Sequence, residues 1–243
     1  WGGLVLFWKQ LEGVAPFEIL CYRIVCSLIF IVPVILIAGR WNEVSAVLHV
    51  PRTLLTLVLS SATVGLNWFL YIWAISQNMV LETSLGYYIN PLVNVLLGFL
   101  FLRERPTRLQ ALAILLASAG VGWSVLNHGY FPWLAFGLAI SFGLYGLLRK
   151  TVHVESLPGL FWETLFLTPL AGGWLLWLAS HGEGFLAHPA LHEGVFLLLS
   201  GPVTSIPLIL FAFAARHMRL MTLGLMQYVS PTGTFLIGVF ILH

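Results

Sequence analysis

The sequence contains no aspartate, and Asp, Glu, Lys and Arg together make up only 8% of its 243 residues. Ordinary globular domains carry about 25% charged residues, and about 45–50% of their residues are apolar. In this chain apolar residues reach 59%, and the mean hydropathy is +0.95. The composition therefore excludes a sizeable soluble domain and predicts an integral membrane protein whose surroundings are a lipid bilayer.

Other absences exclude classes of function. The chain has no GxxxxGK[ST] loop for a nucleotide, no HExxH or GxSxG motif, and no aspartate for a phosphoryl intermediate. We therefore expect no nucleotide-driven motor in this chain, no enzymatic activity and no cofactor. The net charge of +2 argues against a nucleic-acid partner.

The two cysteines and a group of histidines have simple interpretations. Cys21 and Cys26 are five apart in one apolar stretch, which indicates buried free thiols. His181, His188 and His192 share one joint. Solvated loop histidines are the simpler interpretation of that group, so we expect no metal site.

Apolar runs separated by short polar joints predict nine approximate membrane spans. A helix needs about 20 residues to cross a bilayer. The spans are 1–8 (partial), 17–38, 53–76, 80–102, 108–126, 130–148, 157–179, 193–214 and 221–242. The first run is expected to be the second half of a span that starts upstream, and a tenth span is expected beyond His243.

Lys and Arg residues are concentrated in alternate joints. Nine lie in joints 39–52, 103–108, 149–156 and 215–220, whereas the opposite joints hold only Lys9. Joints rich in Lys and Arg stay in the cytoplasm. The pattern therefore predicts a multi-pass membrane protein with a cytoplasmic N-terminus.

Two apolar segments 140 positions apart carry the same polar stripe. Segment 85–99 reads LGYYINPLVNVLLGF, and segment 225–239 reads LMQYVSPTGTFLIGV. The stripe pairs Tyr87 with Gln227, Asn90 with Ser230, and Asn94 with Thr234, and Pro91 coincides with Pro231. The spacing of i, i+3, i+7 places each stripe on one helix face. The two segments are the fourth and ninth spans, which cross in opposite senses, so we expect an inverted repeat of five-helix units.

The two stripes are predicted to line a central solute site, with Arg23, Asn67 and Tyr71 as further lining residues. An ionisable group inside a bilayer costs about 2.5–3.5 kcal/mol and usually faces the bundle interior. For Arg23, the alternatives are a structural ion pair or a side chain that snorkels to the interface. For Asn67, the alternative is a hydrogen bond to a neighbouring helix.

Three glutamates and two prolines in the predicted spans have alternatives of the same kind. Glu18 and Glu82 are candidates for proton coupling, whereas Glu82 and Glu163, near span ends, could instead be cap or interface residues. Pro91 and Pro231 each remove a backbone hydrogen bond. Removal of these bonds would free the carbonyls of residues 87 and 227, either for a hydrated cavity or for neighbouring helices.

A family resemblance is carried by five segments: Glu18–Arg23, parts of Asn67–Ala74, Glu82–Pro91, Ser141–Lys150 and Leu220–Tyr228 with Pro231. Together they resemble the RarD-type branch of the EamA family, in the drug/metabolite transporter superfamily. The resemblance implies ten helices in two inverted repeats, here 1–127 with a truncated first helix and 128–243 without the tenth. It also implies secondary transport in the bacterial inner membrane. The chain departs from the family pattern at Glu104, which follows Arg103 where the family often has glycine.

We therefore predict an all-α polytopic helical bundle that transports a small organic metabolite or drug by alternating access, as an exporter or permease. Two other classes stay open. One is a membrane-embedded enzyme acting on lipid-linked substrates, which would need a convergent set of acids, bases or metal ligands. The other is a non-transporting membrane regulator. The expected partners are a small-molecule substrate and the bilayer, and a homodimer is left open.

Overall fold

A computed structural model of the protein describes residues 4–11, 13–77, 79–127, 129–237 and 240. The side chains of residues 4, 5, 9, 75, 80, 234, 235 and 237 lie outside this description. The helices are α1 (Leu4–Trp8), α2 (Pro16–Ile37), α3 (Trp41–Val47), α4 (Pro51–Ser76), α5 (Val80–Leu102), α6 (Arg108–Leu126), α7 (Trp133–Thr151), α8 (Ser156–Ser180), α9 (Gly184–Ala187), α10 (Leu191–His217), α11 (Leu220–Met226) and α12 (Val229–Ile237). The described chain is all-α, as predicted.

Five helical segments are long and apolar enough to cross a membrane: Pro16–Ile37, Pro51–Ala74, Leu81–Leu102, Arg108–Leu126 and Leu191–His217. Each falls on a predicted span. The helices α7 and α8, with 19 and 25 residues, fill two further predicted spans and have a length suited to crossing a bilayer. The short helices α3 and α9 lie in joints where no helix was predicted.

The last predicted span, 221–242, is not one continuous helix, because the chain breaks between α11 and α12. The Gln227 N–H group donates to the carbonyls of Leu223 and Gly224, at 3.2 and 3.0 Å. The Tyr228 N–H group donates to the Leu225 carbonyl at 3.3 Å. Bonds to the third residue back have 3₁₀ geometry, which tightens the last turn of an α-helix. The prediction of a single helix over this stretch was therefore wrong.

The helix starts repeat with the offset found in the sequence. Three pairs of helices begin 140 residues apart: α2 and α8 at Pro16 and Ser156, α4 and α10 at Pro51 and Leu191, and α5 and α11 at Val80 and Leu220. We call residues or helices related by this offset counterparts. The internal duplication is thereby confirmed in the helix boundaries. The break after Met226 has no counterpart in α5, which continues through Tyr87 and Tyr88.

The chain forms two compact units, and each unit takes helices from both copies of the repeat. The first contains the described residues up to Gly65 together with Val152–Phe213. Within it α2 packs along its counterpart α8. The Trp162 indole Nε1 donates to the Val44 carbonyl at 3.1 Å and thereby ties α8 to α3. The division into repeats at residue 127 is a division of the sequence and stays a prediction.

The second unit contains Leu66–Thr151 together with the described residues from Ala214 onward. In this unit α5 packs against both α7 and α11. Leu85, Ile89, Ala135 and Ala139 form the buried cluster between α5 and α7, where the two alanines allow the helices to approach closely. The helix α6 begins with a capping box between Thr107 and Gln110, and none of its residues is buried.

A glycine permits the contact between α5 and α11. A Cβ atom at Gly224 would lie 2.8 Å from the Asn94 Cβ and 2.9 Å from the Pro91 carbonyl oxygen. Both distances are shorter than any ordinary van der Waals contact, so a larger residue would push the two helices apart.

We expect Gly224→Ala to lower the free energy of unfolding by about 1–3 kcal/mol, the usual cost of overpacking. Gly120→Ala in α6 is the matched control, because a Cβ there meets nothing within 4 Å and alanine is the better helix former. Thermal unfolding of the detergent-solubilised protein measures both effects. Equal shifts in Tm for the two variants would contradict a tight contact at Gly224.

Candidate functional site

Three side-chain amides meet where α11 ends against α5. Asn90 Nδ2 donates to Gln227 Oε1 at 2.7 Å, and Asn94 Nδ2 donates to the same oxygen at 3.1 Å. Asn94 Nδ2 also lies 3.5 Å from Asn90 Oδ1. We call Asn90, Asn94 and Gln227 the amide triad. All three residues belong to the stripes seen in the sequence, and their role as solute-lining residues stays a prediction.

The two asparagines of the amide triad are buried, Gln227 is half-buried, and the triad's hydrogen bonding is only partly satisfied. Asn94 is 0% exposed and Asn90 is 8% exposed. Asn94 Oδ1 and Gln227 Nε2 are buried atoms without a hydrogen-bond partner. Leaving a buried polar atom unpaired costs about 1–3 kcal/mol, and most buried polar groups in proteins are paired. The triad therefore holds one unused acceptor and one unused donor.

The helix break places the Gln227 side chain at this position, because Gln227 is the C-cap residue of α11. The sequence predicted that Pro231 would free the Gln227 carbonyl. That prediction is wrong, since the Ser230 N–H group donates to this carbonyl at 3.1 Å. Ser230 itself is half-buried in α12, and the side chain of Thr234 lies outside the described residues.

Four tyrosines form two ring pairs. One pair joins α4 to α5, and the other joins α5 to Tyr228, which directly follows Gln227. The rings of Tyr71 and Tyr87 are 6.0 Å apart and T-shaped, and those of the counterparts Tyr88 and Tyr228 are 6.4 Å apart. The Tyr228 hydroxyl donates to the Tyr88 carbonyl at 3.2 Å. Tyr87 and Tyr88 are partly exposed, at 49% and 38%.

Asn67 bonds a neighbouring helix. Its Nδ2 donates to the Leu138 carbonyl at 2.8 Å and to Ser141 Oγ at 3.0 Å, both in α7. This is the alternative that the sequence left open for Asn67. A direct contact of Asn67 with a solute stays a prediction.

Arg23 and Glu18 have partners within the first unit. Arg23 Nε donates to Thr204 Oγ1 at 3.2 Å, and the guanidinium lies 4.8 Å from the centre of the Trp8 ring, a cation–π distance. Glu18 Oε1 accepts the Phe185 N–H group at 2.7 Å. These contacts give both residues a structural role, and the solute-binding and proton-coupling roles stay predictions.

Glu82 is 1% exposed and lies in the first turn of α5. Its Oε1 accepts from the Tyr130 hydroxyl at 2.9 Å, whereas Oε2 is buried without a partner. The hydrogen bond to the carboxylate raises the pKa of Tyr130, which lies in the loop before α7. One oxygen of this buried carboxylate is therefore unused, and the proton-coupling role of Glu82 stays a prediction.

Glu163 was predicted to lie near the end of a span, and this is wrong. It is the eighth residue of α8, two turns inside the helix, and is 1% exposed. Its carboxylate accepts from Ser60 Oγ, and its backbone carbonyl accepts from Ser61 Oγ at 3.1 Å. The Ser60 hydroxyl of α4 therefore bonds the buried acid, and the adjacent Ser61 hydroxyl bonds the backbone of the same residue.

Comparison with known proteins places these features in a family. The EamA-like transporter family matches residues 1–126. An uncharacterized transporter of Vibrio cholerae serotype O1 is 43% identical over 99% of this chain and 80% of its own length. Protein RarD of Escherichia coli K12 is 39% identical over 98% of this chain and 81% of its own length. The chloramphenicol-sensitive protein RarD of Pseudomonas aeruginosa is 30% identical over 96% and 78%.

The chain belongs to the EamA-like transporter family. These relatives are bacterial and the chain carries five apolar helices of spanning length, so this EamA-family protein is a bacterial membrane transporter.

In this EamA-family protein Glu104 has a structural role that the sequence did not reveal. Arg103 adopts a φ of +54°, and the Glu104 N–H group donates to the Gly98 carbonyl at 3.0 Å. This left-handed turn ends α5. It lets Glu104 Oε1 and Oε2 accept the N–H groups of Leu220 and Met221, each at 2.9 Å. The carboxylate thus caps the N-terminus of α11.

Lys150 extends this junction. Its Nζ lies 3.8 Å from Glu104 Oε1 and donates to the carbonyls of Ala215 and Met218, at and just beyond the end of α10. A cation at a helix C-terminus and an anion at a helix N-terminus are both favourable positions. The one sequence signal that could have found the junction is a single glutamate in a joint with three arginines.

We expect Glu104→Ala to lower the free energy of unfolding by about 1–3 kcal/mol, because it leaves two N–H groups of α11 without their acceptors. Glu104→Gln should cost less, since one acceptor oxygen remains. Glu43→Ala is the control, because its exposed ion pair with Arg40 (2.7 Å) should contribute only about 0.2–1 kcal/mol. Thermal unfolding that ranks Glu43→Ala as the most damaging variant would contradict the capping role.

Proposed function

We propose that this EamA-family protein is a secondary transporter of a small organic solute in the bacterial inner membrane, with a cytoplasmic N-terminus. The amide triad would form part of its solute site. The observation that carries the proposal is that two buried asparagines and a half-buried glutamine from counterpart helices meet and leave one donor atom and one acceptor atom unused. Polar groups inside a bilayer usually face the protein interior or a water-filled path.

The break between α11 and α12 supports an alternating-access mechanism. Broken helices are common at the solute sites of transporters built from inverted repeats, where one repeat rocks against the other. Here the break lies beside the triad, and α5 and α11 come from different copies of the repeat. Contact between the counterparts Tyr88 and Tyr228 is what an approximate two-fold axis would produce. A rocking motion about this region would expose the triad alternately to each side.

The remaining residues of the stripes complete the proposed site. Tyr71 and Tyr87 offer ring faces, Ser230 lies in α12, and a contact of Thr234 with the solute is proposed from the sequence alone. Arg23 lies in the first unit, and a role for it in attracting a carboxylate on the solute is a separate proposal.

Glu82 is the better of the two proton-coupling candidates. Its Oε2 is unpaired and buried, whereas the Glu18 carboxylate already accepts a backbone N–H group. Protonation of Glu82 would replace a buried charge with a neutral carboxyl group, which a bilayer tolerates better. Protonation of Glu82 would couple efflux or uptake to protons. Transport driven by exchange is the other proposed mode.

The alternative classes are a membrane-embedded enzyme and a non-transporting regulator. The names of the relatives favour transport over both. A thermal-shift screen of the full-length protein with amino acids, nucleosides and amphenicols would identify a solute for flux assays. Amphenicols are included because one relative is named for chloramphenicol sensitivity.

We expect Asn90→Ala and Gln227→Ala to abolish solute flux into vesicles that contain the full-length protein, without loss of folded protein. Each change removes a hydrogen-bonding group from the triad. Asn127→Ala is the matched control and should retain flux, because Asn127 is exposed and bonds only locally to the Trp123 carbonyl (2.8 Å). Wild-type flux in both triad variants would end the central-site proposal, and a protein without solute-dependent flux would end the transporter proposal.

A further inference from the structure

The hydrogen-bonding capacity left over in the amide triad has a defined chemistry. Gln227 Oε1 accepts from both asparagines. By contrast, Gln227 Nε2 and Asn94 Oδ1 have no hydrogen-bond partner. Each side-chain amide carries one acceptor oxygen and one donor nitrogen. The triad therefore presents one donor and one acceptor to a ligand.

The same result holds in the alternative orientation that keeps the three amides bonded to one another. If all three amides are rotated by 180°, every donor in the triad becomes an acceptor and every acceptor becomes a donor. The Gln227 nitrogen would then donate to both asparagine oxygens. One acceptor on Gln227 and one donor on Asn94 would be left over, so the count is unchanged.

We propose that the amide triad recognises a neutral carboxamide-type group on the solute, such as a primary amide, a lactam or another edge that carries one donor beside one acceptor. This inference rests on the proposed solute site. Such a group would supply an acceptor for the Gln227 nitrogen and a donor for the Asn94 oxygen, and it would bring no charge into the bilayer.

Other polar groups match only half of the triad. A carboxylate or a ketone has no donor for the unused oxygen, and an amidinium has no acceptor for the unused nitrogen. A site whose buried polar groups are left unpaired by the wrong ligand discriminates strongly against it. A mismatch of one hydrogen bond is expected to weaken binding by about ten-fold or more.

The surroundings of the triad favour a planar ligand. Tyr228 follows Gln227 in the chain, and its ring faces that of Tyr88. Gly224 brings the α11 backbone close to Asn94 and Pro91. A flat aromatic ring that carries a carboxamide is therefore a suitable probe.

The test compares four probes of nearly equal shape on the full-length detergent-solubilised protein: benzamide, benzoate, benzamidine and acetophenone. The measurement is a titration followed by thermal shift and by tryptophan fluorescence. Benzamide is expected to bind at least about ten-fold more tightly than each of the other three, because it alone satisfies both unused atoms.

Two variants connect the preference to the triad. Asn94→Leu and Gln227→Met remove the unused acceptor and donor while nearly conserving volume. Both are expected to lose the preference for benzamide. Asn127→Leu makes the same chemical change at an exposed position and should keep it.

Each alternative result has a distinct meaning. Benzoate or benzamidine binding as tightly as benzamide overturns the carboxamide class. If that binding still disappears in the two triad variants, the solute site survives and only the class fails. A benzamide preference that persists in both triad variants places recognition elsewhere and overturns the proposal. No saturable response to benzamide also overturns it, and the vesicle flux of Asn90→Ala and Gln227→Ala then decides the solute site separately.

Discussion

The second unit is organised around one acceptor atom, Gln227 Oε1, which takes hydrogen bonds from two asparagines of α5. In an apolar medium an amide cannot exchange its partners for water, so such bonds fix which helices lie together. The contact requires α11 to end at this point and requires no side chain at Gly224. The helix break, Gly224 and the polar stripe on α5 are therefore all needed for the same set of hydrogen bonds to Gln227 Oε1.

The same short helix is held at its other end by side chains of its neighbours. Glu104 caps the N-terminus of α11, and Lys150 binds the carbonyls where α10 ends. The first turn of α11 is bonded to Glu104, just beyond α5, and its C-cap residue Gln227 is bonded to the middle of α5, so α11 is tied to α5 at both ends. The bond pattern predicts that a conformational change bends the chain at Gln227 and Tyr228, where α11 gives way to α12.

The sequence predicted the helical class, the duplication and the face on which the amide triad lies, because these depend on periodicity and composition. It did not predict the break at Gln227, since the apolar pattern continues through Leu225, Met226 and Val229. The role of Glu104 depends on a left-handed turn at Arg103, which residue type does not indicate. For Asn67, sequence alone could not decide between a neighbouring helix and a solute, because an amide suits both.

The counterpart residues in the second unit are identical at one position of contact and differ at others. Tyr88 and Tyr228 are the same residue type and contact each other. At the other positions the two copies differ: Gln227 corresponds to Tyr87, and Ser230 corresponds to Asn90. Two identical faces related by a two-fold axis would offer a solute the same group twice. A solute with a donor at one position and an acceptor at the next requires the two faces to differ. If the triad forms the proposed solute site, the differences at the stripe would present a different group to the solute on each face.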